Sequence, residues 1–230
     1  MKHLNFTFTV VALVILVAGA AAPGVSAKKL DEAEIYIEIN DTDGDAGIQV
    51  FLDGEGWDSM QMTGPRGAVL FSVLAEGSVG MQGITEFFFE SAEPSFDEQS
   101  LEELLELFPA GKYKLRGTTT DNKPLRGRAR LTHRIPAAPV LVSPEDGEED
   151  VDPDDTVIEW MPVSEIVGYQ VIVETDDDPL MVFSADVGPG VTSITVPPEF
   201  MMSGTAYKYE VLAVEGSGNQ TISEAEFETE

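Results

Sequence analysis

The sequence predicts a mainly β protein: an N-terminal β-sandwich-like domain with one short helix, followed by a second β-sandwich. Three observations predict it. Short apolar runs recur between clusters of Gly, Pro and Asp, the rhythm of antiparallel strands and their turns. Several runs alternate polar and apolar residues, as half-buried strands do. A single segment shows helical spacing. At 230 residues the chain has room for two modest domains.

In the N-terminal part, Glu34 to Ile39 alternates as a strand with one buried face. Asn40 to Gly47 breaks it with Asp and Gly, Ile48 to Leu52 resumes an extended pattern, and Asp53-Gly54 reads as the next turn. Ala68 to Leu74 and Ile84 to Phe89 are further strands, the three consecutive phenylalanines of the latter suiting burial on both faces. Leu101, Leu104, Leu105 and Phe108 recur at helical spacing, with an apolar stripe expected to cover the sheet. Ser100 and Glu103 form a capping box, in which each side chain satisfies a free backbone N–H, and Pro109 and Gly111 end the helix. Tyr113 to Leu115 and Ala129 to Thr132 give two more strands around the turn Asp121-Asn122-Lys123-Pro124.

Ile135-Pro136-Ala137-Ala138-Pro139 is a stiff, extended connector, because each proline holds its predecessor out of the helical region. It divides the chain into domains at 28–135 and 136–230. Beyond it, Val157 to Trp160, Tyr169 to Val173, Met181 to Ser184, Ile194 to Val196, Tyr207 to Val214 and Ala225 to Phe227 are short strands in sandwich rhythm.

Residues 136–230 resemble a fibronectin type III domain, an immunoglobulin-like β-sandwich. The resemblance rests on the proline-rich opening, on Trp160 in the second strand, on Gly168 to Val173 with Tyr169 in the third, and on the Gly-Thr-x-Tyr-x-Tyr-x-Val-x-Ala-Val stretch ending at Val214. It implies that Trp160 packs between the sheets and that Tyr207 hydrogen-bonds back to the loop before its strand. It implies a fold rather than a chemistry, and no Arg-Gly-Asp signal occurs in the chain. Residues 28–135 carry no comparable motif set.

The first 27 residues differ in kind. Lys2 supplies a positive start, Val10 to Ala22 is unbroken apolar or small, and Val25-Ser26-Ala27 offers a cleavage site, the pattern of a secretory signal peptide. The apolar run is short for a membrane span, and none follows it, so the mature chain is expected outside the cytoplasm, secreted or periplasmic, and not inserted in a membrane. There is no cysteine, which excludes disulfides and thiol chemistry. A formal charge of −29 makes nucleic acid a poor partner and cations or basic surfaces good ones. Against this background most basic residues sit between Lys112 and Arg134, a stripe suited to docking on an acidic face of the neighbouring domain or to an anionic ligand.

The sharpest local cluster is Asp41, Asp43 and Asp45, with Asp53 and Glu55 one strand away. Alternating carboxylates converge on a hard cation such as Ca²⁺. An Asp/Gly-rich hairpin turn fits the same residues without metal, and Ala46 and Leu52 fail the EF-hand pattern. The acidic runs Glu145 to Asp155 and Asp176 to Asp178 read as solvated loops. His133 is the one histidine beyond residue 27, which rules out a multi-histidine zinc site. Glu86, Glu90 and Glu93 offer paired carboxylates for glycoside cleavage, and Trp57 in a polar context offers a ring for sugar stacking or an edge of the core. Asn40-Asp41-Thr42 and Asn219-Gln220-Thr221 fit the N-glycosylation pattern. Together these lead to a non-enzymatic binding, adhesion or structural module with a protein or glycan ligand. A carbohydrate-binding accessory protein or weak glycoside hydrolase is the alternative.

Overall fold

The structure, a computed structural model, describes residues 26–176 and 179–230. The stretch read from the sequence as a secretory signal, apart from Ser26 and Ala27, lies outside the described residues, as do two acids of the 176–178 run. The chain is mainly β. The first half runs β1 (Lys28–Lys29), β2 (Glu32–Asn40), β3 (Asp45–Thr63), β4 (Val69–Leu74), α1 (Gly77–Gln82), β5 (Ile84–Glu90), α2 (Leu101–Leu107), β6 (Gly111–Thr119) and β7 (Pro124–Leu131). The second runs β8 (Leu141–Ser143), β9 (Glu148–Val151), β10 (Val157–Trp160), β11 (Gly168–Thr175), β12 (Val182–Val187), β13 (Ser193–Thr195), β14 (Ala206–Val214) and β15 (Gln220–Thr229).

The alternation of β2 becomes a face: Ile35, Ile37 and Ile39 are buried, with Glu34, Tyr36 and Glu38 on the other side. β3 belongs to two layers. Its first half lies between β2 and β5, and its second half between β4 and β6, with β7 and the short β1 beyond. The inner faces of both layers meet in one core of Ile35, Ile48, Val50, Leu52, Trp57, Met60, Tyr113 and Leu125, into which α2 inserts Leu104. Both halves of the capping box form at Ser100 and Glu103.

Several expectations change, among them the acidic run Glu145 to Asp155, in which Glu148–Val151 forms β9 against β15 rather than a solvated loop. Asp53-Gly54 does not turn; β3 continues through it to Thr63, with register irregularities between Asp53 and Ser59. A Cβ at Gly54 would come within 2.9 Å of the Leu30 side chain, so this glycine serves close packing rather than reversal. The phenylalanine strand is not covered on both faces, because Phe87 and Phe89 pack inward while Phe88 is 57% exposed. A second helix, α1, occurs beside the expected one; it buries no residue, so it has no apolar stripe to read.

The second half is a fibronectin type III-like sandwich. A three-stranded sheet in the order β13, β10, β8 faces β12, β11, β14 and β15 across a core of Ile158, Trp160, Tyr169, Val171, Tyr207, Tyr209, Val211 and Phe227. β15 also pairs in parallel with β2, Gln220 opposite Glu38 and Ile222 opposite Asn40. The larger sheet of each half therefore continues into the other as one 12-stranded sheet. An edge strand that would otherwise expose its N–H and C=O groups is thereby covered.

Candidate functional site

The two halves meet at the turn between β14 and β15. Asn219 is fully buried and uses its whole amide. Its Oδ1 accepts from the Ile37 N–H at 2.9 Å. Its Nδ2 donates to the carbonyls of Thr132 at 3.1 Å and Arg134 at 2.7 Å. Thr221 Oγ1 donates to the Pro136 carbonyl at 2.9 Å. The proline connector is thus fastened as well as stiff. Burial also removes Asn219 from any glycosylation chemistry.

Around this joint the outer face of the shared sheet gathers carboxylates. Glu38, Glu90 and Glu93 bring ligand oxygens within 4.8 Å of one another. β2, β3 and β5 lie side by side here, and Gln49 sits between the acids, its Nε2 donating to Glu38 and, at 3.3 Å, to Glu90. Tyr36 donates to Gln49 at 2.6 Å, and Gln220 of β15 donates to Glu38. Glu93 comes from the loop after β5 and lies against Gly47, where an added Cβ would be 2.7 Å from its Cγ. Gly47 is what leaves room for it.

Electrostatics follow from this crowding. Burial, then repulsion from Glu90, Glu38, Asp45 and Asp43, pushes the Glu93 carboxyl up to about 7. Burial raises Glu38 as well, against a hydrogen bond from Gln220 that favours the ion, and the charges of Glu90, Glu210 and Asp45 add to the rise. One buried oxygen of Asp45 has no hydrogen-bond partner. Such a group can share a proton or hold a hard, oxygen-seeking cation.

The acids expected to bind metal are arranged otherwise. Asp41 and Asp43 are exposed in the β2–β3 turn, which Asn40 organises by accepting the N–H groups of Thr42 at 3.0 Å and Asp43 at 3.1 Å. That is an Asx turn and needs no ion. The turn also docks on the second sandwich, with Asp41 N–H on the Ile222 carbonyl at 3.0 Å and Glu224 N–H on Thr42 Oγ1 at 3.0 Å. Asp53 lies eight positions farther up a continuous strand, opposite Glu32 and Glu86, at roughly 3.3 Å per residue. Glu55 pairs with Lys28. The five residues are not brought together, because the turn expected at Asp53 is absent. Asp45 alone stays near a carboxylate cluster, and that cluster rests on Glu38 and Glu93, which only the pairing of three strands reveals.

The hallmark residues of the second sandwich share one interior. Trp160 meets Tyr169 edge-on at 5.2 Å, and Tyr207 stacks on Phe227 at 5.4 Å. Tyr207 OH accepts the Met202 N–H at 2.7 Å, from the loop before its strand. Trp57 is wholly buried against Phe87, which withdraws it from sugar stacking. Glu86 stands apart from the Glu90–Glu93 group. His133 bonds the Phe108 carbonyl at 2.8 Å. Of the basic stripe, Arg134 reaches across the joint to Glu215 at 3.6 Å, whereas Lys112, Lys114, Arg116, Arg126, Arg128 and Arg130 pair with nothing in the neighbouring sandwich among the described residues.

No family model matches the chain, and no curated protein matches it. Among solved structures, a computer-redesigned β-sandwich protein aligns at a TM-score of 0.33 and 19% identity, over 43% of this chain and 96% of its own. The FN1–FN3 domains of chicken CNTN1 align at 0.33 and 17%, over 89% of this chain and 66% of theirs. A segment of two fibronectin type III domains from chicken tenascin aligns at 0.33 and 10%, over 87% of this chain and 99% of its own.

Proposed function

We propose that this chain is a non-enzymatic binding or structural module that works outside the cytoplasm, secreted or periplasmic, with a protein or glycan as its ligand. The observation that carries this reading is the joint. Asn219 and the β2–β15 pairing turn two sandwiches into one stiff body with a continuous outer face, which suits presentation and spacing rather than the opening and closing of a catalytic cleft. Export is supported by the composition of residues 1–27. Cell fractionation of a C-terminally tagged chain tests it: the expected product is extracytoplasmic and lacks residues 1–27, and a cytoplasmic product that retains them overturns the reading.

A hard cation such as Ca²⁺ belongs to the same proposal, held by Glu38, Glu90 and Glu93 rather than by the β2–β3 turn. Three converging carboxylates and the unpaired oxygen of Asp45 favour it. Calorimetric titration with Ca²⁺ near pH 7.5 is expected to give heat and a higher melting temperature, both lost in Glu38→Gln. No heat, or an undiminished response in that variant, removes the cation from the proposal.

A further inference from the structure

The N-terminal sandwich segregates its charge onto opposite faces. In the β6–β7 ribbon Lys112 lies directly opposite Arg130, Lys114 opposite Arg128, and Arg116 opposite Arg126. All six are exposed, because the alternating Tyr113, Leu115, Leu125, Ala129 and Leu131 point into the core. Like charges placed opposite each other weaken a strand pair, and among the described residues none of the six is in an ion pair. The same face continues over Ser59, Gln61 and Ser72 without a carboxylate. A cost of this kind is retained when something outside the sandwich offsets it.

The opposite layer carries the complement. Across β2, β3 and β5, Glu32 lies opposite Asp53 and Asp53 opposite Glu86, while Glu34, Phe51 and Phe88 form the next row and Gln49 and Glu90 the one after it. No Lys or Arg lies on these three strands. Phe88, 57% exposed, stands between Glu86 and Glu90. Both faces are pleated sheets and share one lattice, about 4.8 Å between strands and about 7 Å between alternate residues. Rows of cations on one match rows of acids on the other. The long stems of Lys and Arg also suit an exposed ring, which they cover while their charged ends reach the surrounding acids.

We propose that the outer face of β6–β7 docks on the outer face of β5, β3 and β2 of a second copy of this chain. The two patches differ, so the contact is head-to-tail, and every added copy leaves one face of each sign free for the next. The net charge of −29 does not forbid this, since repulsion between distant charges is screened beyond about 8 Å at physiological salt while contacting rows are not.

Sedimentation velocity on the purified chain, over a concentration series in about 0.15 M salt, tests the proposal. Wild type is expected to form species that grow with concentration. Two variants remove one face each: Lys114→Gln with Arg116→Gln and Arg128→Gln, and Glu34→Gln with Glu86→Gln and Phe88→Ser. Each alone is expected to stay monomeric, yet an equimolar mixture forms a 1:1 dimer and stops there, because each retains the face the other lacks. All six positions are exposed, and circular dichroism melts verify folding. Wild type that is monomeric throughout, or variants that assemble as wild type does, overturns the proposal. So does a monomeric wild type that binds heparin through the cationic ribbon, which would assign that face to polyanions.

Discussion

Asn219 Oδ1 and the Ile37 N–H form a 2.9 Å hydrogen bond between residues 182 positions apart, at the point where the two sandwiches become one sheet. The same side chain donates to the carbonyls of Thr132 and Arg134. Asn219→Ala leaves one buried donor and two acceptors without their partner, and each such group costs about 1–3 kcal/mol. The variant is expected to lose at least about 2 kcal/mol. Scanning calorimetry is expected to resolve its unfolding into two transitions where wild type shows one; an unchanged single transition refutes the role given to this amide.

The acid cluster sets a pH dependence whose sign follows from Glu93. Its folded value of about 7 stands above the ordinary 4.5, so the folded state holds a proton that the unfolded chain releases. The contribution is complete below 4.5 and is lost as pH rises through about 7. Glu93→Gln keeps the neutral form at all pH values. It is expected to melt higher than wild type at pH 8, with the difference closing by pH 4.5. Gly47→Ala, which takes the space Glu93 occupies, is expected to abolish that pH-dependent difference.

Lys208 is the one Lys or Arg beyond residue 134, and it lies 2.9 Å from Glu210, 3.5 Å from Glu174 and 3.6 Å from Glu224. Partial burial lowers its affinity for the proton, but the hydrogen bond and charge of Glu210, with Glu224 and Glu174, hold it above the ordinary lysine value. Lys208→Met leaves three half-buried carboxylates facing one another. A loss of about 1–2 kcal/mol at neutral pH is expected, between the exposed and buried limits for ion pairs. Denaturant titration checks it, and a smaller loss at pH 4 than at pH 7 identifies the cause as charge rather than packing.

Tyr207→Phe keeps the stacked ring and removes the acceptor for the Met202 N–H. It is expected to cost about 1–3 kcal/mol. Trp57→Ala and Trp160→Ala each open a large cavity in a separate core, at about 3–5 kcal/mol apiece. Equilibrium urea unfolding measures all three, and a neutral Trp57→Ala contradicts its burial.

What could be read from the residues was what neighbours in sequence decide. The alternation from Glu34 to Ile39 became the buried and open faces of β2, and Ser100 with Glu103 capped α2, because both patterns act within a turn or a few residues. Trp160 and Tyr207 were legible through a motif whose spacing matches a whole sandwich. Long-range geometry was not. Gly54 resembles a turn until Leu30 is seen against it. Trp57 has polar neighbours in sequence, yet β3 crosses between layers there and turns the ring inward. The grouping of Glu38, Glu90 and Glu93 depends on the register of three strands, and the part played by Asn219 depends on partners 87 and 182 positions distant.

The parallel pairing of β2 with β15 has a mechanical consequence. A pull that enters at Lys28 and leaves at Glu230 drags these two strands lengthwise past each other. Their hydrogen bonds, together with those of Asn219, are then loaded side by side and must rupture at once instead of unzipping singly. The seam between the sandwiches therefore bears tension along the chain as a shear clamp, its bonds sharing the load side by side.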